Sequence, residues 1–128
     1  MTELPDDRRY TKDHEWAKEE GDRVVVGITD HAQDRLGDIV FVGLPEPGTE
    51  VRAGQPLGEV ESTKSVSDVF SPVTGTVVDR NGEVEQNPEV INSDPYGAGW
   101  LVAIRLGEEG LGDLMTPEAY RDFVAGEG

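Results

Sequence analysis

Two short apolar segments enclose a polar turn in residues 57–70, which read LGEVESTKSVSDVF. The segments Leu57–Glu61 and Val66–Phe70 both contain valine and have the length of strands, whereas the residues of Ser62–Ser65 are mostly small and all polar. This pattern predicts a β-hairpin. Because a hairpin turn protrudes from the edge of its sheet, Lys64 is expected to lie in solvent on a stiff support.

The rest of the chain repeats this pattern of short segments. Sixteen glycines and eight prolines interrupt the sequence, and most apolar segments between them hold four to seven residues. Strands are predicted at Arg23–Ile28, Asp38–Val42, Leu57–Glu61, Asp68–Phe70, Thr76–Asp79 and Trp100–Arg105. Such a series is typical of a mainly β fold, a flattened sandwich or small barrel.

The second of these strands has apolar residues on both sides. Ile39 and Phe41 would face one side, and Val40 and Val42 the other. Because a strand covered on both faces reads as a continuous apolar run, both faces are expected to be buried.

Short helices are predicted in the N-terminal third and at the C-terminus. The first spans Asp30–Arg35, with Thr29 or Asp30 as its cap and Gly37 as its terminator. The second begins at Thr116-Pro117-Glu118, an order that favours a helix start. Its apolar residues, Tyr120, Phe123 and Val124, would pack against the sheets.

A weak internal repeat lies on either side of Lys64. Gly48–Gly54 resembles Gly75–Asn81 with a shift of 27 residues, and the two segments share Gly, Thr and Val at matching offsets. A pseudo-symmetric pair of β units would produce this likeness. A chance match is an equally good explanation, since these residue types are common in β proteins.

Composition limits the classes of partner. The 128 residues fit one compact domain, residues 1–128, and 27 acidic against 11 basic side chains give a net charge of −16. This charge disfavours nucleic acids and anionic membranes as partners and favours basic protein surfaces. The chain has no cysteine, and its two histidines predict no metal site. A monomer in the cytoplasm is expected.

Taken alone, Lys64 has several interpretations. A lysine in a hairpin turn is most often a charged surface residue. A hydrolase that pairs Ser62 with Lys64 would require burial to lower the pKa of the lysine, whereas a polar turn is exposed to solvent. Lys64 is, however, the sole lysine after residue 18 among the three in the chain.

The context of Lys64 resembles a known attachment pattern. Glu61 lies three residues before it, Gly75 eleven after it and Gly48 sixteen before it. These positions are similar to those of the biotinyl and lipoyl carrier superfamily and, within it, of the H proteins of the glycine cleavage system. The resemblance extends over roughly residues 9–124 through three further segments: Tyr10–Trp16, Gly27–Asp34 with Leu36–Asp38, and Ile91–Tyr96 followed by Gly99–Leu101.

The resemblance implies a lipoyl-domain (hammerhead) fold and a lipoate covalently attached to Lys64. It also implies that Glu61, Gly48 and Gly75 form the motif by which the attachment site is recognised. It also implies a cleft for the loaded arm, lined by four candidates: Glu15, Ser62, Thr63 and Asp68. Some family members carry histidine where this chain has Arg35, and an arginine cannot accept a hydrogen bond from an ammonium group.

The resemblance further implies a carrier and not an enzyme. Such a carrier takes an aminomethyl group from the glycine decarboxylase (P protein) to the aminomethyltransferase (T protein), and then passes electrons to dihydrolipoamide dehydrogenase (L protein). A lipoate ligase or lipoyl transferase would attach the arm. The alternative is a lipoyl carrier that relays lipoate to other complexes, and the residues around Lys64 do not separate the two.

Overall fold

The computed structural model describes residues 4–107 and 114–127. Its strands are β1 (Arg9–Tyr10), β2 (Glu15–Glu20), β3 (Arg23–Ile28), β4 (Ile39–Gly43), β5 (Glu50–Val51), β6 (Pro56–Ser62), β7 (Val66–Phe70), β8 (Gly75–Arg80) and β9 (Val102–Leu106). Its helices are α1 (Asp30–Leu36), α2 (Gly82–Gln86), α3 (Val90–Ser93) and α4 (Pro117–Glu127).

The strands form two antiparallel sheets. The larger has six strands in the order β1-β2-β3-β9-β8-β5, and the smaller has three in the order β4-β6-β7. Valines of both sheets meet in the main core, among them Val24 and Val26 of β3 and Val60 of β6, each with no exposed surface. The predicted mainly β sandwich is thereby confirmed.

One expectation about β4 was wrong. Ile39 and Val42 are buried, but Val40 is 51% exposed and Phe41 50%. A bulge between Ile39 and Phe41, where Ile39 pairs with Ser62 and Phe41 pairs with Glu61, adds a residue and breaks the alternation of the strand. The apolar run therefore does not indicate burial on both faces.

The two predicted helices are confirmed. Thr29 Oγ1 accepts a hydrogen bond from Ala32 N at 3.2 Å, and α1 ends at Gly37, whose φ of 85° favours glycine. At α4, Thr116 Oγ1 accepts from Ala119 N at 3.1 Å, and Tyr120 is buried against the larger sheet. Strands β1, β2 and β5 and helices α2 and α3 were not predicted, because they are short or rich in charged residues.

The internal repeat corresponds to two neighbouring strands. Glu50 pairs with Thr76 and Val51 with Gly75, so that the two copies run antiparallel as β5 and β8. A Cβ atom on Gly75 would overlap the carbonyl oxygen of Arg105 on β9. The β5–β8 pairing is what a pseudo-symmetric pair of β units requires, but it does not separate that explanation from chance.

Candidate functional site

The β6–β7 hairpin places Lys64 at an exposed tip. Ser62 N donates to Ser65 O at 2.8 Å and closes the turn. The buried Ser62 Oγ accepts from Lys64 N at 3.2 Å and from Ser65 N at 3.1 Å. One hydroxyl thus satisfies two backbone donors of the turn, which stiffens the backbone under Lys64 while its side chain stays exposed.

The tip rests on the connection between α1 and β4. Thr63 N donates to Asp38 O at 3.1 Å. A Cβ atom on Gly37 would lie 3.4 Å from Lys64 Cε, so the lysine stem passes over this glycine. Gly37 therefore contributes a surface without a side chain under the lysine, a role beyond the helix end that the sequence predicted.

Asn92 of α3 fixes that connection. Its Nδ2 donates to Gly37 O at 2.9 Å and to Gln33 Oε1 at 2.8 Å, and its Oδ1 accepts from Ile39 N at 2.9 Å. Sequence reasoning included Asn92 in a family segment without giving it a role. No local pattern could reveal the contact with Gly37, since 55 residues separate the two.

The three residues of the attachment motif lie in two places. Glu61, on β6, is half-buried beside the tip. Gly48 has a φ of 97° and donates from its N to Val77 O at 2.7 Å, and Gly75 begins β8. The glycines build the β5–β8 pair in the larger sheet, whereas Glu61 alone neighbours the lysine turn.

Glu15 joins the two sheets. This residue of β2 is 2% exposed, its Oε1 accepts from Thr11 Oγ1 at 2.7 Å, and its Oε2 accepts from Phe70 N of β7 at 3.1 Å. Burial raises the pKa of Glu15 from 4.5 to about 7, although both hydrogen bonds oppose the shift. Its carboxyl group therefore changes charge near neutral pH.

The remaining candidates lie along the same hairpin. Thr63 is exposed at the tip, and Asp68 is exposed on β7 opposite Glu59 of β6. Phe70, which Glu15 contacts, follows Asp68 by two residues on β7. Arg35 is exposed in the last turn of α1, two residues before Gly37.

The two histidines connect the start of β2 with α4. His14 Nδ1 and Tyr120 Oη are 2.7 Å apart, Thr29 Oγ1 and Tyr120 Oη are 2.9 Å apart, and the rings of His14 and His31 contact each other. In residues 4–107 and 114–127, no three His, Cys, Asp or Glu side chains are grouped to hold a metal ion. Over the same residues, no helix has the length and apolar character needed to cross a membrane.

The two sheets and their lysine-bearing hairpin define a protein of the lipoyl-domain class. The family model described as glycine cleavage H-protein matches residues 8–127. The chain is 57% identical over 120 residues to a glycine cleavage system H protein from Rubrobacter xylanophilus, covering 94% of each chain. It is 54% identical to the one from Mycolicibacterium vanbaalenii, covering 98% of this chain and 99% of the other.

A solved structure of a similar protein has the same fold. The crystal structure of a glycine cleavage system H protein from Mycobacterium marinum superposes with a TM-score of 0.87 at 44% identity, covering 98% of this chain and 99% of that chain. The chain belongs to the glycine cleavage H-protein family, the lipoyl carriers of the glycine cleavage system.

Proposed function

We propose that Lys64 bears a lipoyl group in amide linkage to its Nζ, and that the chain, as one carrier domain over residues 1–128, carries the aminomethyl group of glycine cleavage. The observation that supports this most is the exposed Lys64 on a turn that Ser62 Oγ braces. When bound, lipoate supplies a reducible disulfide that accepts the aminomethyl group. The residues present fit such an arm, since the lysine is accessible and Gly37 leaves its stem uncovered.

The proposed roles of the motif residues differ. Glu61 lies beside the lysine turn, where an attaching enzyme can contact its carboxylate. Gly48 and Gly75 act at a distance from the lysine, because they lie at the β5–β8 strand pair of the larger sheet. A side chain at Gly75 would displace β8 from β9.

We further propose that Glu15, Ser62, Thr63 and Asp68 line the surface against which the loaded arm folds. Two of the four are carboxylic acids on or beside β7, and a carboxylate attracts a cationic amine. Ser62 and Thr63 keep the start of the arm close to the protein. With Arg35 in the position of the family's histidine, this contact falls to the exposed Asp68, because Glu15 is buried and both its carboxylate oxygens already accept hydrogen bonds.

The proposed partners follow from the carrier role. The chain would present its arm to the glycine decarboxylase (P protein), the aminomethyltransferase (T protein) and dihydrolipoamide dehydrogenase (L protein), and it would receive lipoate from a lipoate ligase or lipoyl transferase. Linkage to a protein raises the effective concentration of the arm at each enzyme. Three further points stay predictions: the chain has no catalytic activity of its own, it is a monomer, and it works in the cytoplasm.

Replacement of the lysine tests the proposal. Lys64→Arg keeps the charge but cannot form the amide under the same enzyme, so glycine decarboxylation with the cognate decarboxylase is expected to fall to background. The double variant Lys12→Arg/Lys18→Arg serves as control and is expected to retain full activity. Equal melting temperatures would show that all three chains fold.

Decarboxylation supported by Lys64→Arg would contradict the proposed role of this lysine. The relay alternative makes a different prediction. If the lipoylated wild-type chain fails with the decarboxylase but donates its lipoyl group to another carrier, relay of lipoate is its function.

A further inference from the structure

Large exposed apolar side chains are concentrated on the smaller sheet. Among residues 4–107 and 114–127, the three such side chains are Val40 at 51% exposure, Phe41 at 50% and Val66 at 58%. Val40 and Phe41 belong to β4 and Val66 to β7, the two strands that flank β6. Clustered apolar surface rimmed by polar residues marks an interaction site more often than scattered apolar residues do.

The pairing of the strands places Phe41 and Val66 on one face, and Val40 is the bulge residue next to Phe41 in β4. Phe41 pairs with Glu61, and Glu61 pairs with Val66. Residues directly opposite each other in antiparallel strands point to the same side of the sheet. Because neighbouring strands lie about 4.8 Å apart, Phe41 and Val66 are roughly 10 Å apart across β6.

Acidic residues lie between and beside these apolar side chains, because Glu61 stands between Phe41 and Val66. The next row on the same face consists of Gly43, Glu59 and Asp68. A Cβ atom on Gly43 would lie 3.5 Å from Phe41 Cε2 and 3.5 Å from Glu59 Cγ, so the Phe41 ring lies over Gly43 beside that glutamate. We define the outer patch as the apolar Val40, Phe41 and Val66 with the acidic Glu59, Glu61 and Asp68.

The outer patch is continuous with the lysine turn. Val66 follows Lys64 by two residues, and Glu61 precedes Ser62, the last residue of β6. A lysine side chain is short. A protein that holds the unmodified Nζ in its active site therefore comes close to Glu61 and Val66.

We propose that the outer patch is the docking surface for the enzyme that attaches the lipoyl group. This inference rests on the proposed lipoylation of Lys64. The attaching enzyme brings Nζ to an activated acyl carbon, where the N–C bond forms as the bond from that carbon to its activating group breaks and Nζ releases a proton. Enzymes that act on the loaded arm meet its far end instead, and they do not need to contact residues beside Lys64.

Charge indicates the chemistry of the docking partner. Apolar side chains on both sides of Glu61, with Glu59 and Asp68 in the next row and a net charge of −16 on the chain, fit a partner surface that offers both apolar contacts and lysine or arginine side chains. The partner is therefore an attaching enzyme whose entrance to the active site is basic.

Steady-state lipoylation of the unmodified full chain by a lipoate ligase with lipoate and ATP tests the inference. Phe41→Thr/Val66→Thr keeps residues that favour strands, and we expect it to raise the KM for the chain about tenfold by removing apolar contact area. Its kcat is expected to change little, and modification still goes to completion at Lys64. Val66→Thr alone should raise KM about threefold.

A matched pair of glutamates tests the acidic part of the outer patch. Glu59→Gln should raise KM about twofold at low salt and have no effect at high salt. Glu19→Gln changes an exposed glutamate of β2 in the other sheet and should leave KM unchanged. Melting temperatures within a few degrees of wild type confirm that each variant folds.

The fully lipoylated double variant separates the attaching enzyme from other occupants. Its KM with the glycine decarboxylase should equal that of wild type. An unchanged KM with the ligase, or an equal rise with the decarboxylase, would overturn the inference, as would a wild-type dimer that the double variant abolishes. If the wild-type chain takes up no lipoate at all, the proposed function fails together with the inference, whereas complete uptake with an unchanged KM overturns the inference alone.

Discussion

Individual side chains around Lys64 act mainly through backbone groups. Ser62 satisfies two amides of the turn, Asn92 satisfies two backbone groups of the connection beneath it, and Glu15 accepts from an amide of β7. The sequence predicts that Lys64 is exposed, because a polar turn between two short strands has few other arrangements. It does not predict the bond from Phe70 N to Glu15, since 55 residues separate them.

Glu15 predicts a pH dependence of stability. Its pKa in the folded chain, about 7, lies above the ordinary 4.5, so the folded state holds this proton more tightly than the unfolded state does. The resulting stabilisation is present below the unfolded pKa and is lost as pH rises through the folded pKa. Glu15→Gln removes the titration.

The free energy of unfolding, measured by urea denaturation, provides the check. The value for wild type minus that for Glu15→Gln should fall between pH 4.5 and 7 by up to about 3 kcal/mol and then level off. Subtracting the variant cancels the titration of the other acidic groups. A difference that is constant with pH would refute the raised pKa.

Secondary-structure elements were predicted best where neighbouring residues mark the start and the end of the element. The β6–β7 hairpin and α1 carry clear turn, cap and terminator residues. The outward position of Phe41 could not be predicted, because the bulge depends on how β4 pairs with β6. Strand β2 was missed, since Glu15 and Lys18 to Glu20 make it resemble a polar segment, yet its first three residues are buried.

Helix α3 supports the lysine turn through Asn92. Asn92→Ala leaves Gly37 O and Ile39 N without this side chain, and we expect it to lower the free energy of unfolding by about 1–3 kcal/mol. Amide hydrogen exchange should accelerate at Ile39 and at Thr63, which bonds to the same connection. Asn87→Ala, at the exposed end of α2, is the control and should change neither quantity appreciably.

If Asn92→Ala destabilised the chain while exchange at Thr63 stayed at the wild-type rate, Asn92 would support the fold but not the turn. If Asn92→Ala changed stability and exchange no more than Asn87→Ala does, Asn92 would support neither the fold nor the turn.

The whole molecule combines a rigid two-sheet scaffold with a strongly acidic surface. The net charge of −16 is distributed along the chain, so it acts on partners through a long-range electrostatic field and not through a single contact. The general class of partner, a basic surface, follows from composition alone. Which face meets that partner depends on the pairing of β4, β6 and β7, and this required the structure.

Salt should weaken the association of the chain with its partner enzymes. Opposite charges accelerate encounter at low ionic strength, and added salt screens them. We expect the association rate with the glycine decarboxylase, measured by stopped-flow or surface plasmon resonance, to fall by at least tenfold between roughly 0.02 and 0.5 M salt. An association rate independent of salt would show that the acidic surface does not guide docking.

Lipoylation of Lys64 is the central claim, and intact-mass measurement of chain purified from lipoate-fed cells tests it most directly. The account predicts a population heavier by one lipoyl group, localised to Lys64 by peptide mapping, absent from Lys64→Arg and retained in Lys12→Arg/Lys18→Arg. A chain that remains unmodified even after treatment with an active lipoate ligase, or a lipoyl group found on Lys12 or Lys18, would contradict it.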